Sequence, residues 1–154
     1  MSNVMKTPIG LDGFIQICLV VTEIEKKAAL WASMFNVPVP EIMNNPAREN
    51  PDETYRGQVA TYGIKMAIID AGSFVIELIE PDANPSTFKE FLDTHGEGVH
   101  HLGFEVGEKR DAIIAELESM GEVMRTIGYY PGSSWTIVDS EKSLGVNLNI
   151  KPVR

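Results

Sequence analysis

Two stretches carry the strongest hydrophobic patterning in the chain. Phe14-Ile15-Gln16-Ile17-Cys18-Leu19-Val20-Val21 is interrupted by one strongly polar side chain, Gln16, and Gly98-Val99-His100-His101-Leu102-Gly103-Phe104-Glu105-Val106 brings two adjacent histidines into a similar run. Both read as strands, across which side chains alternate. Alternation puts Ile15, Ile17, Leu19 and Val21 on one face of the first and Phe14, Gln16, Cys18 and Val20 on the other. In the second, His101, Gly103 and Glu105 share one face and His100, Leu102, Phe104 and Val106 the opposite one, so the two histidines are predicted to point in opposite directions.

A helical pattern follows each strand. Ile24, Ala28, Trp31, Met34 and Phe35 recur at helical spacing, with Thr22 as N-cap, Glu25 three residues on, and Pro38 and Pro40 as the stop. The second pattern runs from Lys109 to Met120 and closes at Gly121. Superposing Val21 on Val106 sets Gln16 opposite His101, and the chain reads as a tandem repeat. Gln58 to Ile69 and Phe74 to Ile79 read as further strands of the first half; residues near Glu122 to Thr126, Ser134 to Asp139 and Gly145 to Ile150 read as those of the second. The prediction is one α+β domain over 1–154, built from βαβββ modules at 13–81 and 98–151.

Between these elements, Glu41 to Gly57 is rich in Asn, Pro and charge and reads as a binding loop or lid. Thr54-Tyr55-Arg56-Gly57 at its end is a candidate anchor for an anionic group. Ser86 reads as the N-cap of a short linker helix that Gly96 and Gly98 end, and Gly128 to Gly132 as a loop.

Composition narrows the partners. The 154 residues carry a net charge of -9, which disfavours nucleic acid and anionic membranes, since both require clustered Lys and Arg. No apolar run approaches the ~20 residues needed to span a bilayer, and the chain reads as cytoplasmic. Cys18 is the only cysteine, so there is no internal disulfide; a lone Cys in a strand reads first as a small buried hydrophobe.

Candidate chemistry rests on polar side chains inside apolar strands: Gln16, Glu77, His101 and one of Asn147 or Asn149. If the first and last strands of both modules adjoin, these converge as nitrogen and oxygen donors, a set suited to a divalent ion of the Zn, Fe, Mn, Co or Ni group. Each also has an ordinary structural reading: a satisfied core histidine, amides bonding neighbouring backbone, Glu77 paired with Lys65. Lys65 itself either reaches an edge or faces the site.

Phe14 to Ala32, the Glu77 strand through Pro81, Gly98 to Val106 and Gly145-Val146-Asn147-Leu148-Asn149-Ile150 together resemble the vicinal oxygen chelate superfamily, which includes glyoxalases, bleomycin resistance proteins and dioxygenases. The block from Pro85 to Leu92 followed by His95 to His101 is similar to methylmalonyl-CoA epimerases and lactoylglutathione lyase-like proteins. The resemblance implies paired βαβββ modules forming an open, cupped mixed β-barrel around a divalent metal, usually in a homodimer. It implies Gln16, Glu77, His101 and Asn149 as metal ligands. At the last of these both families have a glutamate that also transfers protons, which an amide does not do at neutral pH. The epimerases' other proton-transfer carboxylate falls on Lys65.

Two functions follow. One is a metal-dependent lyase or isomerase acting on a carbonyl, thioester or glutathione adduct, with Glu77, Lys65 or Glu105 as base. The other is a metal-poor protein that binds or sequesters a small molecule, with Phe14, Cys18, Val20, Tyr129, Tyr130 and Trp135 as apolar walls.

Overall fold

The structure is a computed structural model that describes residues 4–154, and of residues 50 and 51 the backbone alone. Among the described residues ten strands form one sheet: β1 (Phe14–Val20), β2 (Met43–Asn45), β3 (Asn50–Tyr55), β4 (Gln58–Ala60), β5 (Ile64–Asp70), β6 (Val75–Pro81), β7 (Gly98–Glu105), β8 (Val123–Tyr130), β9 (Ser133–Asp139) and β10 (Asn147–Lys151). The helices are α1 (Ile24–Phe35), α2 (Thr87–His95), α3 (Arg110–Ser119) and the one-turn α4 (Glu141–Leu144). None is long and apolar enough to cross a membrane.

The strand order is β2-β5-β6-β1-β7-β10-β9-β8-β3-β4. β1 and β7 pair antiparallel at its centre, and each takes a parallel partner outside, β6 on β1 and β10 on β7. The first and last strands of the two predicted modules are therefore neighbours. The outer part departs from the expectation. Residues 41–57 are not a free loop: β2 pairs with β5, and β3 crosses to the far side of the sheet to pair with β8 through Thr54↔Ile127 and Tyr55↔Thr126. The sequence hid these strands because their partners lie elsewhere in the chain.

That crossing forces curvature. β4 is one end of the sheet and β5 is second from the other, yet only residues 61–63 join them, a connection that spans at most about 14 Å. The ends must approach each other, so the sheet curls into a cup, an α+β half-barrel.

Helices α1 and α3 cover the outside. Val21, Ile24, Ala28, Ala67 and Leu78 form one buried cluster under α1, and Phe104, Ile113, Leu117, Val138, Leu148 and Ile150 another under α3. The start of α1 is not capped by Thr22. Glu23 occupies the cap with φ 51°, and the backbone N–H of Thr22 (2.7 Å) and its hydroxyl (3.0 Å) donate to Glu97 just before β7. A distant carboxylate thus takes the place of a local capping box. Helix α2 packs against β1, β6 and β7, where Phe88 and Phe91 meet Cys18, Val20 and Ile79. Its N-cap is the predicted one: the Ser86 hydroxyl accepts from Lys89 N–H at 2.9 Å.

Candidate active site

The concave face encloses a cavity of about 560 Å³ whose walls are mainly Ile15, Met66, Ile79, Phe88, Tyr129 and Trp135. Its polar floor, made by Gln16, Glu77, His101 and Asn149, comes from two adjacent rungs across the central strands. Glu77, Cys18, His101 and Asn147 stand side by side on β6, β1, β7 and β10; Gln16, Gly103 and Asn149 form the next rung. Glycine is required at position 103, because a Cβ there would lie 2.7 Å from Gln16 Oε1 and 2.8 Å from Gln16 Cβ.

Hydrogen bonds tie Gln16, Glu77, His101 and Asn149 together. Gln16 Nε2 donates to Glu77 Oε2 at 2.9 Å, and Gln16 Oε1 accepts from Asn149 Nδ2 at 3.1 Å. The same oxygen lies 3.1 Å from His101 Nε2, and since an amide oxygen only accepts, that nitrogen carries the hydrogen. His101 is neutral, burial holding its pKa well below the ordinary value. Its Nδ1 is therefore the acceptor for His100 Nδ1–H at 2.8 Å, and His100 Nε2 accepts from the Thr87 hydroxyl at 3.0 Å. This relay of donors corrects the alternation argument. The pairing Cys18↔His101 is followed by Leu19↔Val99, so His100 is an extra residue, a β-bulge. The bulge turns both rings inward, His100 against Phe88 and Phe91 with centroids at 5.0 and 5.3 Å.

Electrostatically the floor is a desolvated carboxylate beside neutral donors. Burial raises the Glu77 pKa from 4.5 to about 7, opposed by the Cys18 hydrogen bond and the distant charge of Lys151. The Cys18 thiol is pushed up by burial and then by Glu77. His100 is lowered to about 3, chiefly by burial. Asn149 Oδ1 is buried in the floor with no partner. A carboxylate, an imidazole and amide oxygens, one of them orphaned, fit a divalent cation.

Other candidates lie elsewhere. Lys65 projects from the opposite side of β5 to Ile64 and Met66 and pairs with Glu25 on α1 at 3.0 Å, so it neither reaches the cavity nor neutralises Glu77. Glu105 is exposed and lines no part of the cup. Arg56 is committed to Glu90 through bonds of 2.6 and 3.1 Å, with Tyr55 on the same carboxylate. Among the proposed apolar walls, Tyr129, Tyr130 and Trp135 line the cavity; Phe14 packs instead against Phe74 and Phe104, and Cys18 and Val20 lie beneath α2. Sequence reasoning missed the cations of the cup, Arg48, Lys151 and Arg154. Lys151 was findable, two residues beyond Asn149 on the same face of a strand.

The model of the Glyoxalase/Bleomycin resistance protein/Dioxygenase superfamily matches residues 15–138. The chain belongs to that superfamily. No curated protein matches it. Among solved structures of this glyoxalase-type fold, it is similar to methylmalonyl-CoA epimerase from Mycobacterium tuberculosis, with TM-score 0.62, 16% identity, and 98% of this chain and 93% of that chain covered. A Streptomyces coelicolor methylmalonyl-CoA epimerase variant in complex with 2-nitronate-propionyl-CoA gives TM-score 0.62 at 19% identity, covering 92% and 97%. A hypothetical protein from Bacillus halodurans gives 0.61 at 20%, covering 90% and 91%. At these identities the likeness establishes the shared glyoxalase-type fold.

Proposed function

We propose that the cup binds a divalent metal ion together with a small anionic carbonyl or thioester compound and promotes proton removal from the carbon beside that carbonyl. This is the chemistry of a metal-dependent lyase or isomerase of the glyoxalase I or methylmalonyl-CoA epimerase type. The observation that carries the reading is the convergence of Gln16, Glu77, His101 and Asn149 on the floor of an otherwise largely apolar cavity. These four would hold the ion, of the Zn, Ni, Co, Mn or Fe group, whose bound form supplies Lewis acidity toward a carbonyl oxygen.

The chain's own groups supply the rest. Glu77 is the one carboxylate lining the cup among the described residues, and it takes the base role that Lys65 is too remote to fill. Arg48, Lys151 and Arg154 attract an anionic substrate, while Phe88, Tyr129 and Trp135 exclude water from its reacting end. We read the cup as jointly built by modules 13–81 and 98–151, and place the protein in the cytoplasm, where a lone thiol stays reduced. A homodimer belongs to the same reading: α1 exposes Met34 and Phe35.

Solvent exchange tests the reaction. Protein loaded with Zn, Ni, Co or Mn is incubated in deuterium oxide with 2-methyl-branched acyl thioesters and hemithioacetals, and the α-proton is followed by NMR. Exchange should depend on metal and fall about 100-fold or more in Glu77→Gln, with His101→Ala losing metal and exchange together. A second reading, a metal-poor binding protein, is favoured by the bond from Asn149 Nδ2 to Gln16 Oε1, which engages the Gln16 amide oxygen within the floor itself. Chelator-insensitive ligand binding with no exchange under any loading would establish it instead.

A further inference from the structure

Cys18, buried beneath α2, stands directly between two floor residues, with Glu77 in parallel register on one side and His101 in antiparallel register on the other. One ligating atom from each of Cys18, Glu77 and His101 lies within 4.8 Å of the others, the one such cluster of three found among the described residues. Ligand atoms around a four-coordinate zinc, with bonds of about 2.0–2.3 Å, sit roughly 3.5 Å apart, so small side-chain adjustments close the triad on an ion. A separate observation marks the same place as a ligand site. Asn149, 5% exposed and lining the cavity, leaves its Oδ1 without a partner, and Asn147 does the same on the rung of Cys18 and His101.

We propose that Cys18 is a metal ligand, so that the ion sits on the Glu77–Cys18–His101 rung with a buried amide oxygen completing its coordination. This rests on the metal-binding reading of the cup but changes its donor set from nitrogen and oxygen to nitrogen, oxygen and sulfur. Gln16 then acts as a positioning residue, holding Glu77 and Asn149 through the bonds it already makes. Thiolate ligation selects zinc or cobalt over the hard, oxygen-seeking manganese and magnesium. On binding, the S–H bond of Cys18 breaks, its proton is released to solvent, and the sulfur lone pair forms the bond to the ion.

X-ray absorption on the zinc-loaded wild-type protein tests this without any substitution. The expected shell contains one sulfur at about 2.3 Å beside nitrogen and oxygen at about 2.0–2.2 Å. Cobalt-loaded protein should show a near-ultraviolet thiolate-to-cobalt charge-transfer band that Cys18→Ser abolishes, with zinc affinity falling by at least about tenfold. Metal bound with only nitrogen and oxygen neighbours and no charge-transfer band overturns the role of Cys18 and leaves the metal-binding reading standing. Binding of manganese, nickel or iron but not of zinc or cobalt likewise overturns the role of Cys18 alone, and failure to bind any of these ions overturns both.

Discussion

Glu77 shows how much of the site a single residue made legible and how much it did not. A carboxylate flanked by apolar positions announced a buried charge; that Gln16 would donate to it and Lys65 would not depended on which face of β5 turned inward. His100 was legible as buried but not in direction, because a bulge arises from pairing with β1 and leaves no mark on the alternation of β7 itself. In the metal-free protein these residues pull stability in opposite directions with pH. Between 4.5 and about 7 the folded chain keeps a proton on Glu77 that the unfolded chain has released, so stability falls as pH rises through that window, by about 3 kcal/mol in all. His100 is held neutral down to about 3, so its contribution is complete above 6.5 and is lost as pH falls below it. Urea midpoints measured with chelator from pH 5 to pH 8 should show Glu77→Gln gaining on wild type as pH rises. A gap that stays constant across the range would mean that Glu77 ionises at its ordinary value.

Among elements, the central strands and the three longer helices were readable because each buries an apolar face with its own period. β2 and β3 were not, since Met43-Asn44-Asn45 and Asn50-Pro51-Asp52-Glu53-Thr54-Tyr55 carry no such pattern and are strands by virtue of distant partners. The hairpin of β8 and β9 was read too short because Gly128 suggested a loop. In the structure Gly128 is paired with Trp135 across the hairpin, and a Cβ at 128 would lie 2.2 Å from the indole. The glycine thus makes room for the ring that walls the cavity. Gly128→Ala should cost about 1–3 kcal/mol by overpacking and displace the indole. In a Trp31→Phe background, where Trp135 is the remaining tryptophan, its fluorescence and the denaturation midpoint report both effects. An unchanged spectrum with an unchanged midpoint would show that the hairpin opens to admit the methyl group at no expense to the cavity wall.

Over the whole molecule the sign of the charge misleads about the cup. The chain carries 22 acidic and 13 basic residues, yet the cavity is lined by Arg48, Lys151 and Arg154 against Glu77 alone. Composition gave only the average, and the strand order that gathers residues 48, 151 and 154 at one mouth is a property of the fold. Lys151 extends from the last strand with its Nζ 5.2 Å from the centroid of Tyr130, and Arg154 is held by a 3.2 Å bond to the Gly72 carbonyl. These cations lie within an acidic surface, so their attraction for an anionic ligand is local and survives a net charge of the same sign as that ligand. Lys151→Gln should therefore weaken binding of an anionic acyl thioester by about tenfold in low salt, equivalent to about 1.4 kcal/mol. The deficit should shrink as ionic strength rises and the screening length falls from about 10 Å at 0.1 M toward about 3 Å at 1 M. Calorimetric titration across that range separates two roles for the lysine. A deficit that persists at high salt assigns Lys151 to direct hydrogen bonding of the ligand, and no deficit at low salt removes the cationic mouth from recognition altogether.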